Sequence, residues 1–317
     1  MSRRRLAWAI GIVCLGALIA LLSSRYHLRL LTNIGIYTIA AVGMSLIFGQ
    51  VGQMSMGQAG FVGIGGYTAG LVAMSLKWPA VVGLSAAILA PVAVALPIGW
   101  IVLRLSGFYL AMAMLALNSI VLAALSQIEL GPPGVNGIPG IPPLRFGPLQ
   151  FENAHAFAAL VWLLALTTLA FSDNLLRSRV GRALRAIRGS EAAAAVTGIP
   201  VTRYKLMIFV FGCGLAGLSG ALSAHYNSYA GPDSAALSFS IFLLVAVVVG
   251  GRGSIWGAPL GVAALVLLVE AVSKYGRYEI VAYGVLLTLA LVLFPNGIAG
   301  LIDSARARWS RRPSSIH

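Results

Sequence analysis

Long apolar stretches that alternate with short basic ones predict an all-α fold, a polytopic membrane helix bundle of about ten spans. Composition says the same. Of 317 residues, 59% are hydrophobic and only 9% are charged, against about a quarter charged in an ordinary soluble domain. So few charges cannot clothe a water-facing surface, and most of the surface must face lipid. The thirty-seven glycines agree, because glycine is commoner in membrane helices than in soluble ones.

A span needs about 20 apolar residues. Ten segments approach that: Leu6–Leu22, Leu28–Phe48, Ala59–Leu76, Ala80–Leu103, Phe108–Ile128, Ala154–Phe171, Leu206–Tyr226, Phe239–Gly250, Ala258–Val272 and Ile280–Phe294. The eighth and ninth are short, and Gly250–Gly257 between them reads as a tight re-entrant turn. The first also has the outline of a signal peptide, with Arg3–Arg5 as its basic region. Its apolar core is long and no clear A-x-A site follows, so it counts as a span. With a cytoplasmic N-terminus, inside segments carry sixteen Lys and Arg and outside segments six. The positive-inside rule then puts both termini in the cytoplasm, and an even number of spans agrees. The net charge of +14 is thereby a matter of topology and anionic lipid rather than of nucleic acid. Cys14 and Cys213 both lie in apolar stretches, with no CxxC or His/Cys cluster, so neither a disulfide framework nor a metal site is expected.

Two connections are long. Residues 129–153 hold GPPGVNGIPGIPPLRFGP, a Pro/Gly-rich turn region that falls outside. Residues 172–205 fall inside and hold seven of the sixteen inner charges. No other segment is long enough for a soluble domain, so residues 1–317 are expected to form one transmembrane domain with these two loops. The inner loop reads SDNLLRSRVGRALRAIRGSEAAAAVTGIPVTRYKL. Good helix formers run over Arg182–Val196, and Gly198 and Pro200 stop the helix. Arg182, Arg185 and Arg188 recur at i+3 as a basic stripe, and Leu184, Ile187 and Glu191 form the adjacent face. Arg188 and Glu191 are placed to pair across one turn. A basic amphipathic helix on lipid explains the arginines. It leaves the flat EAAAA patch without an apolar anchor, whereas a helix docked in a partner's groove uses both features. The residues alone leave both readings open.

The run GRALRAIRGSEAAAAVTGIPVTRYKL resembles the EAA-type coupling loop of the branched-chain amino acid importer permeases, the LivM type of the LivH/LivM family. GMSLIFGQVGQMSMGQAGFVGIGGYTAG and SAHYNSYAGPDSAALSFSIFLLVAVVVGGRGSIWGAPLGVAAL are similar to two further family segments. The blocks follow family order from about residue 33 to 265. The resemblance implies a type II ATP-binding-cassette importer fold with the loop between the sixth and seventh spans, where the independent count also puts it. It implies that Gly181, Arg182, Arg185, Arg188, Glu191, Ala192, Ala193 and Gly198 couple the bundle to an ATPase. On the family pattern the glutamate contacts that ATPase, the alanines allow close approach and Gly198 ends the helix. The implied partners are two ATP-binding subunits, a second homologous permease subunit and a periplasmic solute-binding protein, in a bacterial inner membrane. The implied cargo is branched-chain or related amino acids.

The chain has no phosphate cradle of its own. Its lysines, Lys77, Lys205 and Lys274, none of them after a glycine, do not form G-x-x-x-x-G-K-[ST]. It is therefore expected to bind no cofactor, with ATP and Mg in partner subunits, and to be no enzyme. His27, His155, His225 and His317 lie far apart at span ends or the terminus and read as interfacial side chains. For the solute path, Gly49, Gln50, Gln53, Ser55, Gly57 and Gln58 concentrate polar groups in one glycine-rich segment. That segment is either a pore lining or an ordinary polar turn. Asn118, with Asn33 and Thr38, is polar within a span, where such groups tend to face the bundle interior or hydrogen-bond between helices. Gly66–Gly70, Gly253–Gly257 and Gly257–Gly261 have the GxxxG spacing of close helix packing. A passive channel for urea or an amide accounts for the spans equally well but gives the EAAAA helix no task. A secondary transporter would call for membrane-embedded acids or histidines, and these are nearly absent.

Overall fold

The computed structural model describes residues 24–273 apart from 54, 77–78, 106, 129–135, 147–148, 151–152 and 252. The first and tenth apolar segments, Leu6–Leu22 and Ile280–Phe294, lie outside the described residues. Six described helices are long and apolar enough to cross a bilayer, which makes the chain a multi-pass membrane protein. They are α1 (Arg25–Met44, continued by a π-helical turn over Ser45–Val51), α2 (Gln58–Leu71, continued to Leu76), α3 (Ala80–Val102), α4 (Gly107–Ser126), α5 (Ala154–Arg177) and α8 (Val201–Asn227). Two short helices, α6 (Arg179–Gly189) and α7 (Glu191–Val196), occupy the connection between α5 and α8. Two shorter apolar helices, α9 (Leu237–Gly250) and α10 (Gly257–Ser273), follow α8.

Burial sorts these helices into a centre and a rim. The best apolar windows of α1 and α8 are 78% and 72% buried inside the chain, those of α3 and α4 only 22% and 28%. Leu89 and Ile101 on α3 and Phe108 and Ile120 on α4 point outward, where hydrocarbon is their natural solvent. α2 crosses α8 at the centre. A Cβ on Gly65 would stand 2.2 Å from the Gly217 carbonyl oxygen, and one on Gly220 would stand 1.9 Å from that of Val62. Backbones that close gain dispersion contacts that larger side chains would forbid, the usual glue between helices in lipid.

The glycine spacings are correct only in part. Gly257–Gly261 packs α10 on α9, with Gly261 against Ala246 and Gly257 against Gly250, which closes the expected tight turn after Gly250. Gly66 faces Gly220, but Gly70 faces Ile138 and Ile141 of the long connection rather than a helix. Gly253 meets nothing, so the Gly253–Gly257 pattern is not a packing motif.

α6 and α7 mark the lower end of the bundle. At the upper end, short strands β1 (Ile138–Pro139), β2 (Arg145–Phe146), β3 (Leu149–Gln150) and β4 (Tyr229–Ala230) tie the connections together. β1 pairs antiparallel with β4, and Tyr229 donates its hydroxyl to the Asn136 carbonyl at 2.6 Å. The described part of the Pro/Gly-rich stretch thus caps α2 and α8, with Ile138 and Ile141 against Gly70 and the Pro142 carbonyl 2.8 Å from His225 Nδ1.

Gly65→Ala should lower the melting midpoint of the detergent-solubilised chain through an overpacking cost of about 1–3 kcal/mol. Gly253→Ala, placed in open space, should leave it unchanged. Equal melting of the two variants, followed by size-exclusion fluorescence, would remove the α2–α8 crossing as a stability determinant.

Candidate functional site

Two features stand apart from ordinary packing: a polar knot at mid-depth and the two-helix loop at the lower end.

The polar knot exists because α2 does not start at the lower end. Gln58 donates through Nε2 to the Gly212 carbonyl at 2.9 Å, and the Gly60 amide donates to Asn118 Oδ1 at 2.8 Å. Gly212 and Asn118 each lie eleven residues into their helices, α8 and α4. At 1.5 Å per residue that is about 16 Å above the lower end. The Gly52 and Gln53 amides still bond back to the Phe48 and Ile47 carbonyls at 3.1 and 3.3 Å, and by Gln58 the chain has climbed back into the bundle. On the other side, the 3-10 turn Pro232–Ala235 descends from β4, and α9 starts beside α2. Two helix N-termini meet here, each with amide groups that lack intrahelical partners. Asn118 accepts from Gly60 and donates to the Ala235 carbonyl at 2.9 Å, while Ser240 Oγ accepts from the Ala59 amide at 2.9 Å. Side chains thus satisfy backbone that neither water nor lipid reaches, a condition for irregular structure at membrane depth.

The glycine-rich segment is consequently no solvent turn. Gln50, Gln53, Ser55 and Gln58 are all buried. Gly57 packs on Met114, and Gly49 offers its carbonyl to Arg188. Gln50 Nε2, Gln53 Nε2, Ser55 Oγ and Gln58 Oε1 find no hydrogen-bond partner among the described residues. Among the other polar span residues, Thr38 is buried with an unpartnered hydroxyl. Asn33 lines a cavity of about 860 Å³ at the upper end, together with Asp233 and Glu270. Glu270 accepts there from the Tyr26 hydroxyl.

The lower loop departs from the expected single helix over Arg182–Val196. Ser190 is extended (φ −162°, ψ 117°) and divides the segment into α6 and α7. Each helix carries its own serine cap: Ser178 Oγ accepts from the Val180 amide at 3.1 Å and Ser190 Oγ from the Ala193 amide at 3.2 Å. α6 lies against the bundle on buried Leu184 and Ile187. That apolar face is used inside the chain and is not free to anchor in lipid. Gly181 sits where α6 leaves α5, and a Cβ there would stand 1.9 Å from the Leu176 carbonyl. Gly198 ends α7 at φ +81°. Its amide and that of Ile199 bond back to Ala195 and Ala194 at 3.0 and 3.1 Å, the Schellman pattern that left-handed glycine permits.

The charges pair differently from the helical spacing. Arg188 does not meet Glu191. Its guanidinium reaches the Gly49 carbonyl at 2.6 Å, capping the end of α1 where carbonyls lack helical donors. Arg185 likewise caps α5 by donating to Leu176 at 3.1 Å. Arg182 lies on the exposed face. Glu191 instead holds buried Lys205 of α8, at 2.7 Å from Oε1. Ala192, Ala193 and Ala195 are exposed, and Val196 is 90% exposed while Ala194 is buried. α7 is therefore tied to α8 through Glu191, with Ala194 turned inward, while Ala192, Ala193, Ala195 and Val196 form a short apolar ridge that faces away from the bundle.

Sequence reasoning missed Ser240, Lys205 and the arginine caps. A lone hydroxyl in the run SFSIF and a lysine at the start of a span were the available signals.

The sequence matches the family described as branched-chain amino acid transport system / permease component over residues 26–295. It is 31% identical to the high-affinity branched-chain amino acid transport system permease protein LivM of Salmonella typhimurium, over 87% of this chain and 70% of that one. It is 26% identical to the corresponding LivH of Escherichia coli, over 83% and 91%. It is also 30% identical to the Escherichia coli ribose import permease protein RbsC over 42% of this chain. No solved structure matches.

Asn118→Leu should strand the Gly60 amide and the Ala235 carbonyl, at about 1–3 kcal/mol each, and lower the melting midpoint. Asn118→Asp, which keeps the acceptor, should cost less. Arg188→Met should raise hydrogen exchange over residues 49–57 while leaving α8 protected; unchanged exchange would show that the Gly49 cap is dispensable.

Proposed function

The chain belongs to the family of permease components of branched-chain amino acid transport systems, and on that premise we propose that it translocates branched-chain or related amino acids as a membrane-spanning permease subunit of an ATP-driven importer. The observation that carries the coupling is the exposed α7 ridge, with Val196 at 90% exposure beside Ala192 and Ala193. An apolar ridge of small side chains, on a capped strut, fits a cleft in a soluble partner better than it fits water. The strut is joined to the interior by Arg188 on Gly49, so a push on α7 acts on the segment that climbs to Gln58.

In this reading the lower end is cytoplasmic, as are both termini, and the bundle has ten spans of the type II importer kind. Gly181, Arg182, Arg185, Arg188, Glu191, Ala192, Ala193 and Gly198 form the docking and coupling element. Two ATP-binding subunits supply the hydrolysis, with ATP and Mg on their side. A homologous permease completes the pore, and a periplasmic binding protein delivers the solute to the upper end of an inner-membrane assembly. The solute path runs beside Gln50, Gln53, Ser55 and Gln58, whose buried polar atoms lack partners, with Gly49, Gly57 and Asn118 as its backbone frame.

Val196→Arg should insert normally into membranes, lose co-purification with the ATP-binding subunits and lose uptake. Glu191→Lys would oppose Lys205 with like charge and should act in the same direction. Gly181→Asp would collide with Leu176 and misplace the strut, again abolishing uptake with insertion intact. A chain that takes up solute with no ATPase attached is a channel and refutes the reading.

A further inference from the structure

A cavity of about 430 Å³ opens at the lower end, between the climbing segment, the start of α4 and the α7–α8 junction. Its volume lies within the range of small-molecule pockets, about 300–1,000 Å³. Its walls combine three chemistries. Met56, Leu110 and Ala111 give it an apolar side. Glu191 and Lys205, ion-paired at 2.7 Å, present adjacent charges of opposite sign. Gln53 also lines it, 6% exposed, with a buried amide nitrogen that has no hydrogen-bond partner among the described residues.

Each unused valence has a complement. Lys205 is 4% exposed and carries three N–H donors, so its bonds to one carboxylate leave capacity for another. A second carboxylate there would also answer the Gln53 donor. Glu191 retains lone pairs for an ammonium, and the apolar wall takes a hydrocarbon side chain. A molecule with a carboxylate and an ammonium on one carbon and an aliphatic tail satisfies all three. We propose that this cavity is a release-side binding site for an apolar α-amino acid, with Lys205 and Gln53 on its carboxylate, Glu191 on its ammonium, and Met56, Leu110 and Ala111 around its side chain. This deepens the permease reading and rests on it. Because Glu191 is also the first residue of α7, an amino acid bound here is clamped between the coupling element and α8. Accumulated cytosolic solute would then restrain the same element the motor must move.

The test is direct binding of radiolabelled L-leucine to the full-length chain in nanodiscs, with no ATPase and no binding protein. Saturable binding is expected, competed by L-valine but not by N-acetyl-leucine amide, which lacks both charges. Lys205→Met should weaken it at least about tenfold, the loss expected for one charge-assisted contact, and Gln53→Leu should weaken it severalfold. Melting curves of both variants show whether they are folded. No saturable binding by the wild-type chain, or undiminished binding by both folded variants, overturns the proposal. ATP-dependent leucine uptake by the assembled wild-type complex, measured in parallel, separates the outcomes. Uptake without this binding sinks the release-side site alone; absent uptake sinks the permease reading.

Discussion

Backbone polarity inside hydrocarbon is the constraint on which the structure turns. A helix satisfies its own amides and carbonyls; a chain that leaves the helix at mid-depth must find other partners, at several kcal/mol for each group left bare. This protein leaves the helix there twice, before α2 and before α9. Asn118 and Ser240 answer both departures, because one amide side chain offers a donor and an acceptor together. Irregular backbone at that depth has a consequence: α2 and α9 begin in the middle of the bundle, and polar side chains reach an interior that continuous helices would fill with hydrocarbon.

On the proposed coupling role, the lower loop is a lever, which must be stiff along its length and free at its tip. Stiffness comes from the Leu184–Ile187 face, the Gly181 contact with Leu176, and two serine caps. The tip is α7, whose small residues look outward. Arg185 and Arg188 of the basic stripe close off the ends of α5 and α1, where unpaired carbonyls attract positive charge. Each cap joins the lever to a different span.

Lever and interior are thereby continuous. Arg188 ends on Gly49; three residues later the chain turns upward; and Gln58 ends on Gly212, in the wall formed by α1 and α8. Glu191 makes a second link through Lys205 to the same helix, α8. A displacement of α7 consequently bears on both walls of the climbing segment, through hydrogen bonds and an ion pair that are directional, rather than through apolar contacts that slide.

Much of this was legible in the residues. Length and hydropathy located the six long spans, four of them within three residues at each end, while α5 runs six residues past the expected end and α8 starts five before the expected start, and the sparse charges required a lipid-facing surface. The Gly250–Gly257 turn and the exposed alanines of the EAAAA patch also followed from local chemistry. Tertiary structure alone decided the pairing. Helical spacing put Arg188 against Glu191, but an extended Ser190 rotated the two apart and gave each a partner from a distant span. Likewise, nothing local distinguishes a polar turn in water from one buried about 16 Å deep; the difference lies in Gly212 and Asn118, far away in sequence. Hydrophobicity is a property of each residue and survives in the linear string, whereas the satisfaction of a buried polar atom depends on who stands opposite, and that is known only when the chain has folded.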